Sequence, residues 1–179
     1  MIPIPPRRFL FRLLPLALIF PLAAVAADPP FGIGRDASAE EIASRDIDVG
    51  PDGAGLPPGG GSAGDGAKIY IERCAECHGV TGQHGRDWLA GGPETGRKTI
   101  GNYWPYATTI FDYVRRAMPP ATPGTLSDTE VYALTAHLLH LNGIIGADEE
   151  MNAQTLPNVK MPARDRFVPD DRRGGAEIR

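Results

Sequence analysis

Cys74-Ala75-Glu76-Cys77-His78 is the segment whose residue types and spacing can do chemistry. The chain has two cysteines, both here, and a histidine directly follows the second. Two thiols one helical turn apart can reach the two vinyl groups on one edge of a porphyrin. The adjacent imidazole is then close enough to ligate the iron. C-x-x-C-H is accordingly the attachment pattern of c-type haem. Other chemistries fit the pair less well. A thioredoxin-type dithiol needs a βαβ context, and no strand-rich pattern surrounds these residues. A structural zinc site wants four ligands, and there is no second C-x-x-C. A disulfide between residues three apart would close a very short loop. The expectation is one covalently attached haem c on Cys74 and Cys77, with His78 on its iron.

Helices must position this segment. Asp65 is expected to cap a helix from Gly66 to about Cys74, with Ile69 and Tyr70 buried. A second amphipathic helix fits Tyr106 to Ala117, where Tyr106, Ile110, Tyr113, Val114 and Ala117 recur at helical spacing. Met118-Pro119-Pro120 ends it, because proline cannot continue the backbone ladder. A third helix opens at the capping box Ser127-Asp128-Thr129-Glu130. Its apolar stripe is Val131, Leu134, Leu138 and Leu141, and Asn142-Gly143 is its stop. Three such helices give residues 65–143 little core, and small domains need a staple. A covalently held haem would supply an apolar centre.

The rest of the chain divides by composition. Residues 1–27 have the form of an export signal: Arg7, Arg8 and Arg12 precede the apolar run Leu13–Ala24, and small residues near Ala26/Ala27 suit cleavage. That run would rise only about 18 Å as a helix, against about 30 Å of hydrocarbon, and Pro15 and Pro21 interrupt it. No stable membrane span is expected, and the mature chain is expected in the periplasm. Losing the signal's three arginines shifts the balance from −4 to −7, which makes nucleic acid an unsuitable partner. Residues 28–64 form a Pro/Gly-rich extension. Ser38-Ala39-Glu40-Glu41 begins a short helix there, and residues 50–64, with seven glycines and three prolines, read as linker. Residues 144–179 form an irregular tail.

Residues 65–143 resemble a class I cytochrome c: a helix running into C-x-x-C-H, a loop, a Met-Pro segment and a C-terminal helix. The resemblance implies an all-α haem domain flanked by irregular N- and C-terminal extensions. It also implies a methionine as sixth iron ligand, and the matching position is Met118, forty residues after His78. His/Met ligation raises the potential, and a six-coordinate iron favours electron transfer over catalysis, so no active site of its own is expected. Met151, Met161, His84, His137 and His140 are the rival ligands. The family's leucine after the haem site matches Leu89, but Asp87 stands where proline is expected. A carbonyl near Asp87, or one near Pro93, would then take the His78 Nδ1 proton. The aromatic run Tyr103-Trp104-Pro105-Tyr106 would pack on the porphyrin or bond its propionates. Of Arg115-Arg116, which as consecutive residues point to different faces, one would neutralise a propionate or dock a partner, and at least one is expected to be solvated.

The segments Asp46-Ile47-Asp48-Val49, Gly55-Leu56-Pro57-Pro58-Gly59, Tyr103–Pro119 and Leu156–Asp165 together resemble the cytochrome subunit of bacterial sulfite or sulfur dehydrogenases of the Sox type. That resemblance implies a molybdopterin-containing dehydrogenase subunit as electron donor and a downstream cytochrome or terminal oxidase as acceptor. Part of the flanks would then lie on the molybdenum partner. The competing readings are a free-standing periplasmic shuttle and a ligand-binding or peroxidatic haem protein.

Overall fold

The computed structural model describes residues 33–85, 87–168 and 170. The expected signal segment 1–27 lies outside the described residues. Residues 1–38 and 39–179 are separate units, and the architecture that follows is that of the second. Its elements are α1 (Ala39–Ala43), β1 (Gly60–Ser62), α2 (Ala63–Arg73), α3 (Ala75–His78), α4 (Ile100–Tyr103), α5 (Ala107–Ala117), α6 (Asp128–Leu141) and β2 (Glu150–Asn152). Short 3-10 turns cover Pro93–Thr95, Leu156–Asn158 and Arg164–Arg166. The fold is mainly helical, as expected for a class I cytochrome c.

α6 is the axis of the core. Ser127 and Glu130 form the expected capping box, each bonding the other's backbone N–H. At the far end, Gly143 takes φ +66°. Its N–H reaches the His140 carbonyl at 2.8 Å, and the Ile144 N–H reaches that of Leu139 at 3.0 Å. This is a Schellman stop, in which glycine adopts a left-handed backbone at little cost. Every residue from Val131 to Leu139 is buried, so the expected one-sided stripe is an underestimate. α2, α5 and the strands pack around α6 and leave no wet face.

α2 begins earlier than expected. Ser62 is its cap, accepting the Asp65 N–H at 3.1 Å. Asp65 sits in the first turn, where its carboxylate favours the positive helix end and takes bonds from Ser62 and Lys68. α2 crosses α6 at Gly66, where a β-carbon would stand 1.9 Å from the Ala133 carbonyl oxygen. The helices therefore meet backbone to backbone, and hydrogen is the side chain that fits.

Residues 60–62, read as linker, are a strand. β1 pairs antiparallel with β2 in the register Gly60–Asn152, Gly61–Met151, Ser62–Glu150. From Ile47 to Ser62 and from Glu150 to Phe167 the flanks lie on the domain. Tyr132 donates its hydroxyl to the Pro57 carbonyl at 2.8 Å. Met151, Leu156, Met161 and Ala163 are buried, and the Leu156–Asn158 turn packs on α5.

In α5 the buried set differs from the expected stripe. Ile110 and Val114 are core residues, but so is Phe111, which is fully buried against Tyr132 with ring centroids 4.4 Å apart. Tyr113 is 49% exposed. The face that carries it meets the edge of Trp104, with centroids 5.9 Å apart, beside an open cavity.

Candidate functional site

A cavity of about 720 Å³ opens between α2–α3 on one side and α5, its following loop and α6 on the other. Cys74, Cys77, His78 and Met118 all line it. Tyr70, Leu89, Ile100, Trp104, Ile110 and Val114 are among its apolar walls.

The cysteine side is built by local backbone bonds. α2 ends at Cys74, whose N–H bonds the Tyr70 carbonyl at 2.9 Å. The Cys77 and His78 N–H groups both turn back to the Cys74 carbonyl, at 3.1 and 3.0 Å. This single turn, α3, puts both sulfurs and the imidazole on one wall. Gly79 ends it with φ +72°, and its carbonyl accepts the Tyr70 hydroxyl at 2.9 Å. His78 Nδ1 lies 3.3 Å from the Asp87 carbonyl oxygen. With the proton on Nδ1 and donated there, Nε2 keeps its lone pair for a metal. The carbonyl at position 87 therefore fills the role without the proline expected there.

The Cys74 thiol lacks the lowered pKa of a redox-exchange site. Both thiols are free in the structure, and burial pushes the Cys74 thiol up to about 11, with Arg73 opposing and Cys77 adding to the rise. A reactive dithiol needs a lowered pKa. Among the described residues, no group of three or more His, Cys, Asp or Glu side chains could hold a bare metal ion. One imidazole, one thioether and two thiols line the same largely apolar cavity, a set that suits a covalently held haem. The volume falls within the range of about 300–1,000 Å³ usual for cofactor sites. The residues present fit a haem.

Met118 follows α5 directly, and its N–H still bonds the Val114 carbonyl at 3.2 Å. Its rivals stand elsewhere. Met151 and Met161 are buried residues of the C-terminal flank itself, on β2 and before the last turn. His84 is exposed beside Gly79. His137 packs its ring 5.0 Å from Tyr70, and burial lowers its pKa. His140 Nδ1 lies 3.2 Å from the Ile145 carbonyl. None of these is among the cavity-lining residues.

The cations at the cavity are Arg73 and Lys98, which sequence reasoning did not single out. Both are exposed basic residues, and nothing in their local sequence distinguishes them from ordinary surface charge. Lys98 lies 4.2 Å over the Tyr103 ring. Arg115 and Arg116, expected at a propionate or a partner, have intramolecular roles. Arg116 forms a two-pronged ion pair with Asp112. Arg115 meets Asp128 at 3.0 Å. The loop between the two sides is fastened by two asparagines. Asn102 donates to the carbonyls of Gly91, Gly92 and Arg97. Asn142 donates to Leu89 and accepts from the Gly91 N–H. Leu89 is thereby held on the cavity wall, as expected.

Residues 61–138 match the family model described as cytochrome c oxidase, cbb3-type, subunit III. No curated protein matches the chain. Among solved structures, the chain is similar to one in the crystal structure of the sulfane dehydrogenase SoxCD from Paracoccus pantotrophus. The two are 42% identical with a TM-score of 0.70, over 79% of this chain and 73% of that one. No helix among the described residues is long and apolar enough to cross a membrane. The fold, the donor set and this likeness converge: the chain is a c-type cytochrome, an electron-transfer haem protein of the family that contains the cytochrome subunit of SoxCD.

Proposed function

We propose that this chain carries one haem c, bonded to Cys74 and Cys77 and ligated by His78 and Met118. In this reading it accepts electrons from a periplasmic molybdopterin dehydrogenase acting on sulfite or sulfur compounds. A downstream cytochrome or terminal oxidase then takes them. The observation that carries the reading is the convergence of all four side chains on one cavity. Bound haem supplies a one-electron couple. The protein's part would be to orient the His78 imidazole through the Asp87 carbonyl, offer the soft Met118 sulfur, and exclude water with apolar walls. Residues 65–143 are the haem-carrying part, the flanks are its wrapping, and residues 1–27 are the export signal cleaved near Ala26/Ala27. Two observations support the dehydrogenase role: the likeness to SoxCD and the extent of that likeness beyond the haem domain.

One experiment tests the ligands and the partner together. The protein is expressed with its chromosomal neighbours, purified through a tag, and examined spectrally before and after adding sulfite or a sulfur substrate. Co-purification of a molybdenum subunit and substrate-dependent reduction of a six-coordinate haem are expected. A haem that binds carbon monoxide at neutral pH when reduced would instead support the ligand-binding reading.

The free shuttle has one observation in its favour. The flanks between 47 and 167 are largely occupied on their own domain. A monomer that oxidases accept directly, with no dedicated partner, would decide for it.

A further inference from the structure

Residues 47–51 lie as a strap along α5. Arg115 Nη1 donates to the Ile47 carbonyl at 3.1 Å. Asp112 accepts the Val49 N–H at 3.0 Å. Thr108 donates its hydroxyl to the Pro51 carbonyl at 3.4 Å. Two residues of extended chain advance about 6.6 Å, and three to four helical residues about 5–6 Å. The two backbones thus run antiparallel in step. Arg115 has a second task. Its Nε meets Asp128, the first residue of α6, at 3.0 Å. α5 ends at Ala117 and α6 begins at Asp128, so this guanidinium joins the two ends of the loop that opens with Met118. Both side chains are largely buried, Arg115 at 19% exposure and Asp112 at 12%.

We propose that Arg115 and Asp112 are positioning residues for the sixth ligand. Through them the strap 47–51 and the start of α6 hold the Met118 loop against the cavity. The inference rests on Met118 being that ligand. Its physical basis is the weakness of a neutral sulfur on ferric iron. Such a bond persists when the loop bearing the sulfur has nowhere else to go. A charge-assisted hydrogen bond shifts an equilibrium by about tenfold to hundredfold. Releasing Arg115 should therefore let the Met118 sulfur leave the iron that much more readily.

The test uses full-length haem-loaded protein and three variants: Arg115→Ala, Arg115→Lys and Val49→Pro. Val49→Pro removes the strap's N–H donor and leaves every α5 side chain in place. The readouts are the far-red methionine-to-ferric-iron band, the affinity of the ferric protein for imidazole, and the reduction potential. Arg115→Ala should bind imidazole at least about tenfold more tightly, with a weaker far-red band and a lower potential. Arg115→Lys, which keeps a charge for Asp128, should recover part of each. Val49→Pro should move all three in the same direction by less. Folded Arg115→Ala with all three readouts at wild-type values would overturn the proposal. Should it fail to accumulate, an unchanged Val49→Pro overturns it equally. A wild-type protein without the far-red band would refute the Met118 assignment itself, a different result from intact ligation that the variants leave untouched.

Discussion

The two walls of the cavity are made in different ways. The cysteine wall is one turn of chain: Cys74, Cys77 and His78 are placed by bonds within five residues, with the Asp87 carbonyl close by in sequence. The Met118 wall is assembled at long range. α5 is held by a strap more than sixty residues upstream and by the Leu156–Asn158 turn downstream. In the proposed ligation, His78 is placed locally and needs only its own helix to fold, whereas Met118 is placed remotely and reports on the whole domain. The comparison predicts that the covalent attachment should be insensitive to the flanks, while the closure of the sixth position should depend on them.

The largest expected effect is at the cysteine wall. Replacing Cys74 and Cys77 together with alanine should abolish haem that survives a denaturing gel, whereas Met118→Ala should keep it and admit carbon monoxide to the reduced iron. Non-covalent haem in wild type would break the comparison at its base. Next comes Leu156→Ala. Emptying this fully buried site should cost about 2–5 kcal/mol in denaturant unfolding, and the far-red band should weaken before the fold is lost. Gly66→Ala presses a methyl onto Ala133 and should cost about 1–3 kcal/mol. It should do so without selective loss of the proposed Met118 ligation, because neither Gly66 nor Ala133 lines the cavity. Tyr70→Phe removes the bond to the Gly79 carbonyl; about 1 kcal/mol is expected, read by thermal melting with an unaltered potential. The smallest effect belongs to the start of α6. The Ser127 N–H and hydroxyl hold the Glu130 carboxyl below its ordinary range. A lowered folded pKa contributes stability above the unfolded value of 4.5 that is lost as pH falls through the folded one. Ser127→Ala should therefore cost about 1 kcal/mol at neutral pH and less in acid. A penalty that grows on acidification would contradict the capping role.

The same contrast explains what could be read in the sequence. The C-x-x-C-H turn, the α6 capping box and the Asn142-Gly143 stop are short-range, so their residue types carry their geometry. The His78 acceptor was legible to within two candidate carbonyls, and the chain's departure from proline at Asp87 did not move it. Gly60-Gly61-Ser62 was not legible as a strand, because two glycines have no strand preference and the pairing partner is in the tail. The cap at Ser62 was missed for a related reason: Asp65 is also a good cap residue, and only the strand leading into Ser62 decides between them. Tyr113 fitted a helical stripe as well as Phe111 did not, yet the cavity beside α5 exposes the first, and Tyr132 covers the second. Arg73 and Lys98 look like solvated charges until the cavity beside them is seen.

The pairing of β1 with β2 has a consequence for how this domain can vary. It closes a loop of about ninety residues that contains every element between Ser62 and Glu150. The entropy cost of such a closure grows only logarithmically, by about 0.6 kcal/mol for each doubling of length. Insertions between α3 and α4, or between α5 and α6, therefore add little to the cost of keeping the two strands together. Insertions between α3 and α4 can thus reshape the rim of the cavity while the β1–β2 clasp stays as it is, whereas the loop between α5 and α6 is tied at both ends by Arg115 and Asp128.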